Sequence, residues 1–165
     1  MSSREDILKR LHQNVKEQFP MPDINIDGIK FPDPVEQFIH SCKTISGAQV
    51  CTFPLSEVEE FTLSEVEGPT AKGDIAVAEN GCIWIPQRED DRSFLFKSEH
   101  LNIIVSRQDV VNNMHEAYQR IAASQEYFKT YKFGTFISGP SKTADIEGAL
   151  VYGAQAARSV TVYIV

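Results

Sequence analysis

The sequence predicts an α/β fold, a mixed and largely parallel sheet with flanking helices. Three observations point there. The run Val160-Thr161-Val162-Tyr163-Ile164-Val165 is almost wholly apolar, as in a strand buried on both faces of a parallel sheet. Strand-like runs alternate with stretches of helical period. Asn80-Gly81 sits between two apolar runs, the strongest short signal for an antiparallel hairpin.

Taken in order, residues 1–19 read as an amphipathic helix with Ile7, Leu8, Leu11, Val15 and Phe19 on one face. A connector follows, extended by Pro20, Pro22, Pro32 and Pro34. Asp33 is placed to cap a helix with Pro34 at its first position and Glu36 at its third. That helix carries Phe38, Ile39 and Cys42 inward and stops at Gly47. Residues 48–53 form a strand. An acidic stretch then repeats Leu-Ser-Glu-Val-Glu at 55–59 and 63–67, with a short helix expected from Ser56 and a turn at Gly68-Pro69.

Residues 74–78 and 82–85 are the hairpin strands, and 87–92 a charged loop. Residues 101–106 form the next strand. Asp109 is expected to cap a helix whose apolar side runs from Val110 to Ala122, with Glu116 and Arg120 paired one turn apart. Thr135-Phe136-Ile137 is a strand, residues 145–153 a helix and 160–165 the last strand, giving a terminal β-α-β unit with a right-handed crossover. The expected total is six strands and four or five helices, divided into a helix and connector (1–34) and an α/β domain (35–165).

Composition narrows the function. A chain of 165 residues, 42% hydrophobic, buries a real core. A net charge of −7 with scattered basic residues argues against nucleic acid or an anionic membrane as partner. The first residues lack a signal-peptide core and no apolar run spans a bilayer, so the expected compartment is the cytoplasm. Cys42, Cys51 and Cys82 have no metal-type spacing and sit in apolar patterns, so buried, inert thiols are expected. The four histidines show no i, i+4 pair, and neither a metal nor a cofactor is expected.

Three places hold chemistry-bearing residues. The first is ISGPSKTADIE, residues 137–147, which leaves a strand and enters the expected helix. Helix starts favour anions, and Ser141 or Thr143 is placed to cap. Asp145 and Glu147 in the first turn already offset the helix dipole, and no P-loop motif is present. The stretch is therefore either a capped helix start or an anion site, with the cap favoured. The second is Glu79, which the hairpin turn itself does not require. It is either an exposed turn residue or a carboxylate nucleophile or base at a strand end. The third is His100, either a general base or a residue paired with Glu99 or water. A triad of His100, an Asp and Ser138 or Ser141 lacks the G-x-S-x-G elbow.

The stretch ISGPSKTADIEGALVYGAQAARSVTVYIV resembles the LUD domain, the family of lactate utilization protein C (YkgG-like). DIAVAENGCIWI is similar to that family's A-I-A-E-[TS]-G-[ST] hairpin, which sets Glu79 and Gly81 on its motif, and Arg92 and HLNIIV from His100 fit the family's order. The resemblance covers roughly residues 68–165. It implies a Rossmann-like domain of the NagB/RpiA/CoA-transferase-like group. It also implies the role of a cluster-free accessory subunit, partnering iron–sulfur proteins that oxidise L-lactate to pyruvate, rather than a stand-alone enzyme. Ala78-Glu79-Asn80-Gly81 is also similar to the S-E-N-G motif of CoA-transferases, so acyl transfer through Glu79 is the enzymatic alternative. A non-catalytic, homo-oligomerising domain is the third reading. The resemblance directs the loop to a ligand site of Ser138, Gly139, Ser141, Thr143 and Asp145 facing Glu79, for a small carboxylate or a nucleotide. The chain departs from the family at Gln155-Ala156-Ala157, where a His-Gly-Pro is usual, and is shorter between Phe53 and Gly68.

Overall fold

The computed structural model describes residues 3–14, 19–20, 27–53, 66–87, 93–124, 133–145 and 148–165. The helix expected from Ser56 and the charged loop beyond Gln87 lie outside them. Helix α1 spans Ser3–Asn14 and leaves Ile7, Leu8 and Leu11 exposed. Helix α2, Pro34–Ser41, starts as its sequence dictates: the Asp33 carboxylate accepts from the Val35 and Glu36 amides. It runs into a π-helical turn, Cys42–Ser46, that Gly47 ends in the left-handed conformation at φ 77°.

The strands are β1 (Gln49–Thr52), β2 (Thr70–Lys72), β3 (Ile75–Val77), β4 (Cys82–Pro86), β5 (His100–Val105), β6 (Val110–Val111), β7 (Gly134–Ile137), β8 (Lys142–Thr143), β9 (Val151–Tyr152) and β10 (Ser159–Ile164). Helix α3 is Phe94–Lys97 and α4 is Met114–Ala123. A parallel sheet has the order β1-β10-β5-β2, and a second sheet has the order β6-β3-β4-β7. The expected hairpin forms, but it founds this second sheet instead of joining the first. Gly73 and Asp74 carry the chain across: Gly73 N–H donates to Ile104 O and Asp74 N–H to Trp84 O.

Alternation along the strands builds two cores. Leu101, Ile103, Val105, Val160, Val162 and Ile164 line one face of the parallel sheet. They pack on Ala76, Ala78, Ile83 and Ile85 of the second sheet and on Phe38 of α2. The other face of the second sheet, with Ile75 and Val77, buries Ala117 and Ile121 of α4. The molecule is thus a parallel sheet, a mixed sheet and a helix in layers.

The terminal β-α-β unit is not formed. β7 and β10 belong to different sheets, and β8 pairs antiparallel with β9, Thr143 opposite Val151. Gly148 and Gly153 adopt φ 69° and 80°, values a right-handed helix does not allow. The cap of α4 also moves. Asn113 caps it, accepting from Glu116 N–H, while Arg107–Asp109 form a 3-10 turn and Val110-Val111 a strand. The expected Glu116–Arg120 pair gives way to two others: Arg120 binds Asp109, and Glu116 accepts from Asn112. β10 is not apolar on both sides, for Thr161 and the half-buried Tyr163 face away from the core.

Candidate functional site

The stretch Ser138–Thr143 is held from three sides. Gly139 sits at φ 65°, and a Cβ there would lie 2.3 Å from the Ser46 carbonyl oxygen. Only glycine lets the loop come this close to the end of the π-helical turn. Lys142 Nζ donates to the carbonyls of Ile45 and Ser46 at 3.0 and 2.7 Å. This ammonium serves the negative end of a helix, as cations do there. Ser141 N–H donates to Ala157 O, Ser141 O accepts from Gly153 N–H, and Ser141 Oγ accepts from Gln155 N–H. Among the described residues no helix follows, so Ser141 and Thr143 are not seen to cap one. Thr143 Oγ1 accepts from Asp145 N–H, and Asp145 is exposed. The expected dipole at Asp145 is therefore absent. So is the topological reason for a ligand, because the loop abuts Ala157 and the N-terminal end of β10 rather than the carboxyl ends of the parallel strands.

Glu79 occupies a four-residue turn, 78–81, between β3 and β4. Gly81 closes it at φ 70°, its N–H donating to Val77 O, and Cys82 N–H donates to Asn80 Oδ1. A Cβ on Gly81 would press on the Ser41–Cys42 backbone, and Ser41 Oγ donates to Ala78 O at 2.6 Å, so the turn is docked on α2. The half-buried Glu79 carboxylate accepts from Met114 N–H at 2.7 Å, and Glu79 N–H donates to Asn112 O. It serves the N-terminus of α4. Asn112 and Asn113 extend the same junction to the connector, through Phe31 N–H and the Ile29 carbonyl. Ser138 Oγ donates to Asn80 O at 3.2 Å, which brings the loop beside the turn.

A cleft of about 300 Å³ opens beside the loop, lined by Ser138, Gly139, Ser141, Gln155, Leu95 and Phe96 among others. Thr143, Asp145 and Glu79 do not line it. The thiols are spread over three elements. Cys42 is fully buried, and burial pushes its thiol up to about 12. Cys51 is exposed rather than buried as its apolar surroundings in the sequence predict, because β1 ends the strand order of its sheet and three of its four residues are exposed. Burial also raises the Cys82 thiol; the Ser138 hydroxyl beside it pulls it down and the Glu79 carboxylate raises it further.

His100 lies apart from that cleft, on the face of the parallel sheet turned away from the core. Its Nδ1 is 2.7 Å from Ser159 Oγ, and its Nε2 is 3.1 Å from Asn102 Oδ1 and 3.3 Å from Thr161 Oγ1. The parallel register sets these four together, pairing Ser159 with His100 and Thr161 with Asn102. His100 meets none of Glu99, Ser138 and Ser141, the partners expected from the sequence. The period-two polar positions of HLN and SVT carried the signal, once the two strands are known to be neighbours.

A family model of the LUD domain matches residues 71–165. The chain belongs to the LUD domain family. The LUD match covers the parallel strands from β2 onward, the docked turn and the loop. The fold is similar to that of a crystal structure at 1.70 Å of a DUF162 family protein from Deinococcus radiodurans. The TM-score is 0.56 and the identity 12%, over 83% of this chain and 99% of that one. No curated protein matches the chain. Among the described residues no helix is long and apolar enough to cross a membrane.

Proposed function

We propose that this LUD domain protein is the cluster-free accessory subunit of an iron–sulfur system that oxidises L-lactate to pyruvate. The observation that carries the accessory role is the engagement of Glu79. Its carboxylate is held by the Met114 amide at the start of α4, as a structural anchor is, rather than left open for attack on an acyl group. The ligand loop is engaged in the same way, with Gly139 and Lys142 fastened to the end of the α2 unit. In this reading the cleft beside Ser138 and Ser141 takes a small carboxylate such as lactate or pyruvate, and the exposed Ile7, Leu8 and Leu11 meet an iron–sulfur partner.

Deletion of the gene, with growth on L-lactate as readout and affinity purification of the tagged chain alongside, tests the proposal. Lost growth together with co-purified iron–sulfur proteins is the expected result; unchanged growth overturns it. A thermal-shift series with lactate and pyruvate tests the cleft. A ligand at 100 times its dissociation constant stabilises by about 2.7 kcal/mol.

A further inference from the structure

Ser159, His100 and Asn102 have the connectivity of a nucleophile, a base and the group that orients the base. Asn102 is 1% exposed and its Nδ2 donates to Glu67 O, so Oδ1 is the atom turned to the imidazole. An amide oxygen only accepts, and Nε2 therefore carries the ring proton. Thr161 Oγ1, on the same side, is a second acceptor for it. In the neutral ring this leaves the lone pair on Nδ1, 2.7 Å from Ser159 Oγ, where it takes the hydroxyl proton. The serine is partly exposed and lines an open cleft of about 860 Å³, together with Gln49, Glu99, Tyr152 and Arg158. Arg158 is the cation at that rim, its Nη1 3.8 Å from Glu99 Oε1, with both side chains largely exposed.

We infer that Ser159 is a nucleophile activated by His100, and that this face of the sheet cleaves small carboxylic esters by acyl transfer. Ser159 Oγ bonds to the acyl carbon while its proton passes to His100 Nδ1. The tetrahedral intermediate collapses with loss of the ester C–O bond, and the leaving alcohol takes the proton from His100. Water then attacks the acyl-serine in the same way, releasing the acid and restoring Ser159. Asn102 is a positioning residue, holding the tautomer that makes Nδ1 the base. The activity is independent of the accessory-subunit reading, since its chemistry uses neither Glu79 nor the side chains of Ser138, Ser141, Thr143 and Asp145, and only Pro140 of that loop lines the cleft.

A fluorophosphonate probe on the full chain tests it. Attack of Ser159 expels fluoride and leaves a phosphonyl-serine, which peptide mass spectrometry locates. One adduct per chain on Ser159, absent from heat-unfolded protein, is the expected result. Labelling slowed about 100-fold or more in His100→Gln, and restored in Asn102→Asp relative to Asn102→Leu, is expected with it. Because the adduct is mapped in the unaltered protein, the test does not depend on any variant folding. No adduct, an adduct elsewhere, or equal labelling of unfolded chain overturns the inference.

Discussion

The two faces of the parallel sheet use the same strands for opposite ends. Toward the second sheet, Leu101, Ile103, Val105, Val160, Val162 and Ile164 alternate into a core. Away from it, His100, Asn102, Ser159 and Thr161 alternate into a hydrogen-bonded polar row, extended at the sheet edges by Gln49 and Thr70. The apolar face gains free energy simply by leaving water. The polar face gains little net energy from its hydrogen bonds, but losing any partner there is costly. One face therefore tolerates exchange of similar shapes, and the other depends on atom identity.

The largest break in that comparison comes from the apolar side. Ile103→Ala removes a fully buried side chain and is expected to cost about 2–5 kcal/mol in urea unfolding. Asn102→Ala is next, at about 1–3 kcal/mol, because it strands the Glu67 carbonyl and leaves the His100 ring N–H only its longer contact to Thr161 Oγ1. Ser159→Ala sharpens the contrast: about 1 kcal/mol or less in stability, yet complete loss of phosphonate labelling.

The thiols give the smallest effect. Cys42 packs in the core and Cys51 is exposed on the outer strand β1, so iodoacetamide at pH 8 is expected to alkylate Cys51 and spare Cys42 in folded protein. The pH dependence has a definite sign. Below the ordinary thiol value of 9.0, Cys42 is neutral whether folded or unfolded. Between 9.0 and about 12 the unfolded chain gives up the proton first. Stability then falls by at most about 1.4 kcal/mol per pH unit, a slope expected to be shallower in Cys42→Ala.

Much of this was legible in the sequence where the determinants are local. The Asp33 cap, the stop at Gly47 and the strands β3 and β4 follow from neighbouring residues. Ile146, Ala149 and Leu150 keep helical spacing in the sequence, but the positive φ of Gly148 and Gly153 decides against the 145–153 helix. Asp109 looked like a cap because the competing Asn113 is fixed by a distant carbonyl, Ile29 O. The site was less legible still. His100 stood out, but its partner Ser159 is 59 residues away, and only the parallel register brings them together. Lys142 sits in the stretch weighed as an anion site, and nothing local reveals the helix end it serves.

The strand order has a consequence for how the chain is made. β10 lies between β1 and β5, so two of the three pairings in the parallel sheet await residues 159–164. During synthesis β1 emerges early, and among the described residues its strand partner comes more than a hundred residues later, when Gln49 meets Thr161. The Lys142 contacts to residues 45 and 46 span nearly as far. Such long-range closures slow folding, since loop entropy is lost before the contacts repay it. Until then β1, with Cys51 on it, is an open edge, and this is where a nascent chain would first recruit a chaperone or a neighbouring copy of itself.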